Sequence, residues 1–199
     1  MPEEVIMAVL STSFIDFQNC LIAKIEEILS QPAQSEPLTD ESNSLLYDES
    51  GRLILDGVTT TGMLFEKADG TMVIGATGYR QQLPLLTQND EDPDQFFPYF
   101  IVRIINGKTP SDNEPWDVTV HIIFGAFSDD SSNQGHVYVS NMIEAVADYF
   151  VAYPLLDHKY RALQDIEYAL QDEDTAPYYF GLLEIKFWVQ KARREDPYA

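Results

Sequence analysis

Cysteine, basic residues, histidine and long apolar runs are all scarce in this chain of 199 residues. The single cysteine, Cys20, excludes an internal disulfide and predicts either a reducing compartment or a buried thiol. Only 12 lysines and arginines stand against 33 acidic residues, a formal charge of -21. A surface of that sign repels nucleic acid and anionic lipid, so a DNA-reading function is disfavoured. No apolar run approaches the roughly 20 residues that a bilayer span needs. The short run VIMAVL at 5–10 follows Glu3 and Glu4 rather than a basic segment, so neither secretion nor membrane insertion is expected, and a cytosolic origin fits. Gly62, Gly70, Gly75 and Gly78 are not followed by Lys-Ser/Thr at phosphate-loop spacing, and a nucleophile elbow is absent.

What the chain does have is apolar content, 45% hydrophobic and 12% aromatic, enough to bury a full core in one domain. That content is arranged with strand periodicity around FPYFIVRIIN at 97–106 and WDVTVHIIFGAF at 116–127. In the first, Phe97, Tyr99, Ile101, Arg103 and Ile105 share one face, and Phe100, Val102 and Ile104 share the other. In the second, Trp116, Val118, Val120, Ile122 and Phe124 form an apolar face opposite Asp117, Thr119 and His121, the pattern of a half-buried antiparallel strand. The connection at 106–115, which opens with Asn106-Gly107 and carries Pro110 and Pro115, reads as a solvated loop.

Upstream, Ser13 is placed to cap a helix with Phe14, Phe17, Leu21, Ile25, Ile28 and Leu29 along one stripe, ending near Ser30. The polar, proline-containing stretch that follows reads as a linker. From 45 to 86 the pattern suggests two hairpins, LLY with RLIL around 48–51 and GMLF with TMVIG around 67–70, with Gly62, Gly70, Gly75 and Gly78 at turns or bulges. After the central hairpin, Gly135 opens a helix with Val139, Met142, Ile143, Val146, Tyr149 and Phe150 on one face, ended by Pro154. Alternating runs at 159–170 and 178–190 complete the set.

The expectation is an α+β fold. Two hairpins joined through a helix make a four-stranded, mainly antiparallel sheet with helices packed on one face, plus an extra β-hairpin excursion. Residues 1–31 form a helical segment of the core, 32–80 a linker and hairpin arm, and 81–199 the main domain.

No reaction centre stands out. His121, His136 and His158 lack metal-ligand neighbours at zinc spacing, and Cys20 has no histidine in its segment. Asp90, Glu91, Asp92 and Asp94 lack the central glycine and distal glutamate of an EF-hand loop. Asp165 and Glu167 share a strand face and read as solvent-facing rather than as an acid–base pair. Tyr178, Tyr179, Phe180, Phe187 and Trp188 are expected in core and interface rather than in a base-stacking platform. No catalytic residue, metal or cofactor is therefore expected.

FPYFIVRI at 97–104, IIFGAFSDD at 122–130, Gly135, PYYFG at 177–181 and Trp188, together with LPLLTQNDEDPDQ at 83–95, resemble the tail-terminator and head–tail-joining proteins of tailed phages and prophage-derived tail particles. The resemblance covers about residues 80–195 and rests on strand and turn patterns rather than catalytic signatures. It implies a virion subunit that forms a ring, commonly a hexamer, that caps the tail tube and meets the neck, connector or sheath. DNA passes through such a ring without specific binding, and no membrane is involved. The long region from Pro32 to Arg80 departs from compact members. Three acidic loops are candidates for the channel wall or for contacts: Asp90, Glu91, Asp92 and Asp94; Asp129 and Asp130; and Asp172, Glu173 and Asp174. Another neck, collar or baseplate component is the alternative within the class. Outside it stand an acidic DNA mimic and a carboxylate-dependent hydrolase.

Overall fold

The computed structural model describes residues 14–30, 63–67, 72–84, 96–109, 111, 114–129, 135–172 and 175–190. The expected Ser13 cap, the hairpin around 48–51, Gly62 and Gly70 lie outside these. Helix α1 (Phe14–Ser30) buries Phe17, Leu21, Ile25 and Leu29, one residue per turn along a single stripe. Gln18 is buried with them, and its Nε2 donates to the Val102 carbonyl at 3.0 Å, so the amide is satisfied inside the core. In its last described turn the Ser30 hydroxyl donates to the Glu26 carbonyl at 2.5 Å.

Among the described residues ten elements follow one another: α1, β1 (Leu64–Glu66), β2 (Met72–Ile74), β3 (Thr77–Arg80), β4 (Tyr99–Lys108), β5 (Trp116–Phe127), α2 (Gly135–Ala152), β6 (Leu155–Leu156), β7 (Tyr160–Leu170) and β8 (Tyr178–Val189). The main sheet has six strands in the order β3-β4-β5-β8-β7-β6, with β3 parallel to β4 and every other pair antiparallel. The expected four strands are the middle of this sheet, but the sheet is mixed and two strands wider than predicted. Neither addition was visible beforehand: β6 is two residues long, and β3 reads TGYR, with no alternation to detect.

Helix α2 lays Val139, Met142, Ile143, Val146 and Phe150 on the sheet, each side chain contributing about 1.5–3 kcal/mol of burial before entropy. Two glycines admit close approach here. A Cβ on Gly135 would stand 2.2 Å from the Tyr179 ring, and one on Gly181 would stand 2.5 Å from Val139. Both helices cover the same face, so Phe100, Val102, Val118, Val120, Ile122, Phe124, Leu183, Ile185 and Phe187 join them in one core.

Two local expectations change. Asn106 and Gly107 do not open the loop; they pair with Thr119 and Val118, and β4 runs on to Lys108 after a bulge at Ile105. β5 starts early enough, at Trp116, to supply partners for them. Gly78 lies within β3 rather than at a turn, its missing side chain leaving room for Ile22 and Phe100, whereas Gly75 does take the left-handed conformation, at φ 77°. The hairpin predicted around 67–70 is present as β1 and β2. It does not project as an arm, because Phe65 is buried in the main core against Tyr138, and β3 is part of the main sheet.

Candidate functional site

The face of the sheet turned away from the helices is the part of the molecule with chemistry to offer. A period of two sends Tyr99, Ile101 and Arg103 of β4 to this side, and the ladder aligns them with the outward residues of β5, β8 and β7. One end of the face is apolar. Phe97, Tyr99 and Ile101 are buried beneath Tyr79, Leu83 and Phe96, alongside Ile123, Phe127, Tyr178 and Phe180. Phe97 stands 5.0 Å from Tyr99 and 5.3 Å from Tyr178 between ring centroids. Gly125 lets the Tyr99 ring cross β5, since a Cβ there would lie 2.6 Å from it. Burial raises the Tyr99 and Tyr79 hydroxyls above their ordinary range, with the Glu26 charge adding to the effect at Tyr79.

Beyond Ile101 the face turns polar in one row across four strands, where Arg103 sits opposite His121, His121 opposite Glu184, and Glu184 opposite Glu167. Arg103 Nε donates to the Gln81 carbonyl at 3.0 Å, and His121 Nε2 lies 2.7 Å from Glu184 Oε2. Charge therefore runs from basic at β4 to acidic at β7. Further along, Lys186 is bonded to Asp165, which raises the lysine pKa, and Arg161 stacks over Trp188 at 5.6 Å.

The two margins of the sheet differ from its middle. β3 flanks β4 only from Tyr99 to Val102, and the Gly78 N–H on the outer side of β3 is taken by Glu26 Oε1 at 3.0 Å. β6 flanks β7 only at Tyr160 and Arg161. From Leu163 to Leu170, and from Arg103 to Lys108, no further strand pairs on the outside among the described residues. Tyr168 is 70% and Leu170 41% exposed along the first of these stretches.

Of the expected loop residues, Asp129 and Asp172 are described, and both are exposed. They leave the same end of the sheet, because β5 ends at Phe127 opposite Tyr178 and β7 ends at Leu170 opposite Gly181. Asp90, Glu91, Asp92, Asp94, Asp130, Glu173 and Asp174 lie outside the described residues. Asp165 and Glu167 do share a face, but Asp165 is engaged by Lys186 while Glu167 looks at Glu184, so the two are not a matched pair. His136 and His158 are exposed. Cys20 is half-buried, its Sγ 3.8 Å from Asp157 Oδ2, and burial together with the Asp157 charge raises the thiol pKa. The five aromatics divide: Phe187 is core, Tyr179 packs beside it, Tyr178 and Phe180 join the second cluster, and Trp188 is exposed. Among the described residues no three His, Cys, Asp or Glu side chains gather to hold a metal ion.

Sequence reasoning placed Arg103 on the face of Phe97, Tyr99 and Ile101, and His121 on a polar face, but missed Glu184 as the residue that joins their row. The alternation of YYFGLLEIKFWV contained the signal. What it lacked was the register, which only strand pairing supplies.

No known family model matches the chain, and no curated protein matches it.

Proposed function

We propose that the protein is a structural subunit of a phage or phage-like tail, a terminator that forms a ring at the end of the tail tube and joins it to the neck. The observation that carries this reading is the construction of the sheet. One face is a complete core, while the other face and both margins offer apolar and charged groups that the described chain does not cover. A surface of this kind suits contacts with further subunits. The motifs that resemble the family build this side of the sheet: FPYFIVRI supplies the buried Phe97 and Tyr99 and the half-buried Arg103, and PYYFG supplies the half-buried Tyr178 and Phe180. The formal charge of -21 is compatible with a channel that lets DNA slide, because a wall without phosphate-neutralising cations exerts little hold. Asp129 and Asp172 are the described candidates for such a wall.

The test is to locate and count the protein in purified tail particles by labelled electron microscopy and quantitative mass spectrometry. Several copies at one end of each tube are expected, with tubes of irregular length when the protein is deleted. Label along the whole tube, or a single copy per particle, would overturn the proposal.

A further inference from the structure

The polarity of the charged row, read together with the two open margins, suggests how copies of this chain meet. In the central sheet β4 and β8 run one way and β5 and β7 the other, because each neighbouring pair in the order β4-β5-β8-β7 is antiparallel. A second copy in the same orientation, set beside the first, would bring its β4 alongside β7 and continue that alternation. The margins that would meet are the two that no described strand covers, 163–170 on β7 and 103–108 on β4. They also differ in charge. On β7, Glu167 lies directly opposite Glu184, which is already engaged by His121, so a like charge faces it within the subunit. On β4, Arg103 and exposed Lys108 form no ion pair among the described residues, although Asp117 stands opposite Lys108 in the ladder. A molecule of charge -21 repels its own copies over most of its surface, which makes a local match of this kind necessary for contact.

We propose that subunits associate head to tail, the acidic β7 margin of one copy against the basic β4 margin of the next, with Glu167 facing Arg103 and Lys108. Each copy then presents one margin of each kind. The contact is heterologous, and it closes into a ring when the rotation between copies permits. The exposed Tyr168 and Leu170 become covered in the same contact. The bulges at Ile105 and at Leu163–Asp165 confine strand pairing to short segments, so the charges set the register. This inference rests on the ring reading and supplies its interface.

The test compares wild type, Glu167→Lys, the double variant Arg103→Glu with Lys108→Glu, and an equimolar mixture of the two variants, by sedimentation velocity over a concentration series at low salt. Each variant alone sets like charge against like charge and is expected to need an about tenfold higher concentration to associate. The mixture restores both contacts in alternation, the Glu167→Lys margin against the Arg103→Glu and Lys108→Glu margin, and native Glu167 against native Arg103 and Lys108, so it should associate as wild type does. Added salt should weaken wild type and mixture alike. A mixture no better than its components, a variant that associates normally, or a wild type that remains monomeric to its solubility limit would overturn the proposal. If the double variant unfolds because Arg103 no longer holds the Gln81 carbonyl, Lys108→Glu alone takes its place. The two readings fail separately. Rescue by mixing, with no protein at the end of a tail tube, removes the tail assignment and leaves the interface; a ring on the particle that is indifferent to these reversals does the opposite.

Discussion

The two faces of the central sheet are made by the same strands and follow opposite rules. Towards the helices, the inward residues of β5 from Val118 to Ala126 are fully buried, and β8 matches them with Leu183, Ile185 and Phe187. Away from the helices, burial is confined to the aromatic end around Phe97, Tyr99 and Ile101, and stops where Arg103 begins the charged row. One face is closed by the chain itself, and the other is finished only at one end. The comparison teaches that alternation along a strand can assign folding to one side and contact to the other, so substitutions one residue apart should differ in kind.

The largest effect should come from the closed face. Phe187 is fully buried and meets Phe17 at 5.1 Å and Phe150 at 5.4 Å, tying both helices to the sheet. Phe187→Ala should lower stability by about 3–5 kcal/mol in urea unfolding, whereas Trp188→Ala, one residue on and exposed, should lower it by less than about 1 kcal/mol. Similar losses at both positions would mean that the open face is a second core.

Glycines sharpen the same contrast at intermediate size. Gly181→Val thrusts a side chain into Val139 and Ile143, both buried beneath α2, and should destabilise by about 1–3 kcal/mol. Gly125→Ala meets the Tyr99 ring first, in the aromatic cluster, and, adding a single methyl, should be milder in a thermal melt. The reverse ranking would show that the aromatic end is the more rigid of the two.

Much of this arrangement was legible in the sequence because it is local. The stripe Phe17, Leu21, Ile25, Leu29 and the set Val139 to Phe150 follow from helical spacing, and the two faces of FPYFIVRI from a period of two. What was not legible depends on pairing between distant segments. Asn106-Gly107 carries turn chemistry yet is held in a ladder by Thr119 and Val118, tertiary context overriding a local preference. Strand β3 exists because β4 offers it an edge and Gly78 admits Ile22, neither of which its four residues announce. The charged row needed three registers at once, and no single strand contains it.

Buried tyrosines on the two faces give a pH test. Tyr160 lies on the closed face with its hydroxyl buried and unpartnered among the described residues, and Tyr99 lies in the aromatic cluster. Burial raises the pKa of both above 10.0. Stability is therefore full below that pH and falls as pH rises, because the unfolded tyrosines ionise while the folded ones resist. The slope is at most about 1.4 kcal/mol per pH unit for each group. Tyr160→Phe and Tyr99→Phe should each flatten this alkaline decline. At neutral pH, Tyr160→Phe should leave stability unchanged or raise it by up to about 1 kcal/mol, since the lost hydroxyl had no partner. An unchanged alkaline slope in both variants would show that neither hydroxyl is sheltered.

The smallest effect belongs to the charged row. The His121 and Glu184 side chains are 26% and 28% exposed, so solvent screens their contact of 2.7 Å. Such a pair contributes about 0.2–1 kcal/mol. A double-mutant cycle of His121→Ala with Glu184→Gln should return a coupling in that range. Glu167→Gln, which removes the like charge facing Glu184, should raise subunit stability by a few tenths of a kcal/mol, roughly the penalty for like charges directly opposite on neighbouring strands. The row would then be a surface whose charges are tolerated by the fold for the sake of contact, because the substitution that helps the isolated subunit is the one that weakens its association. A coupling of several kcal/mol, or a loss of stability in Glu167→Gln, would place the row among the elements that hold the fold together and erase the distinction between the two faces.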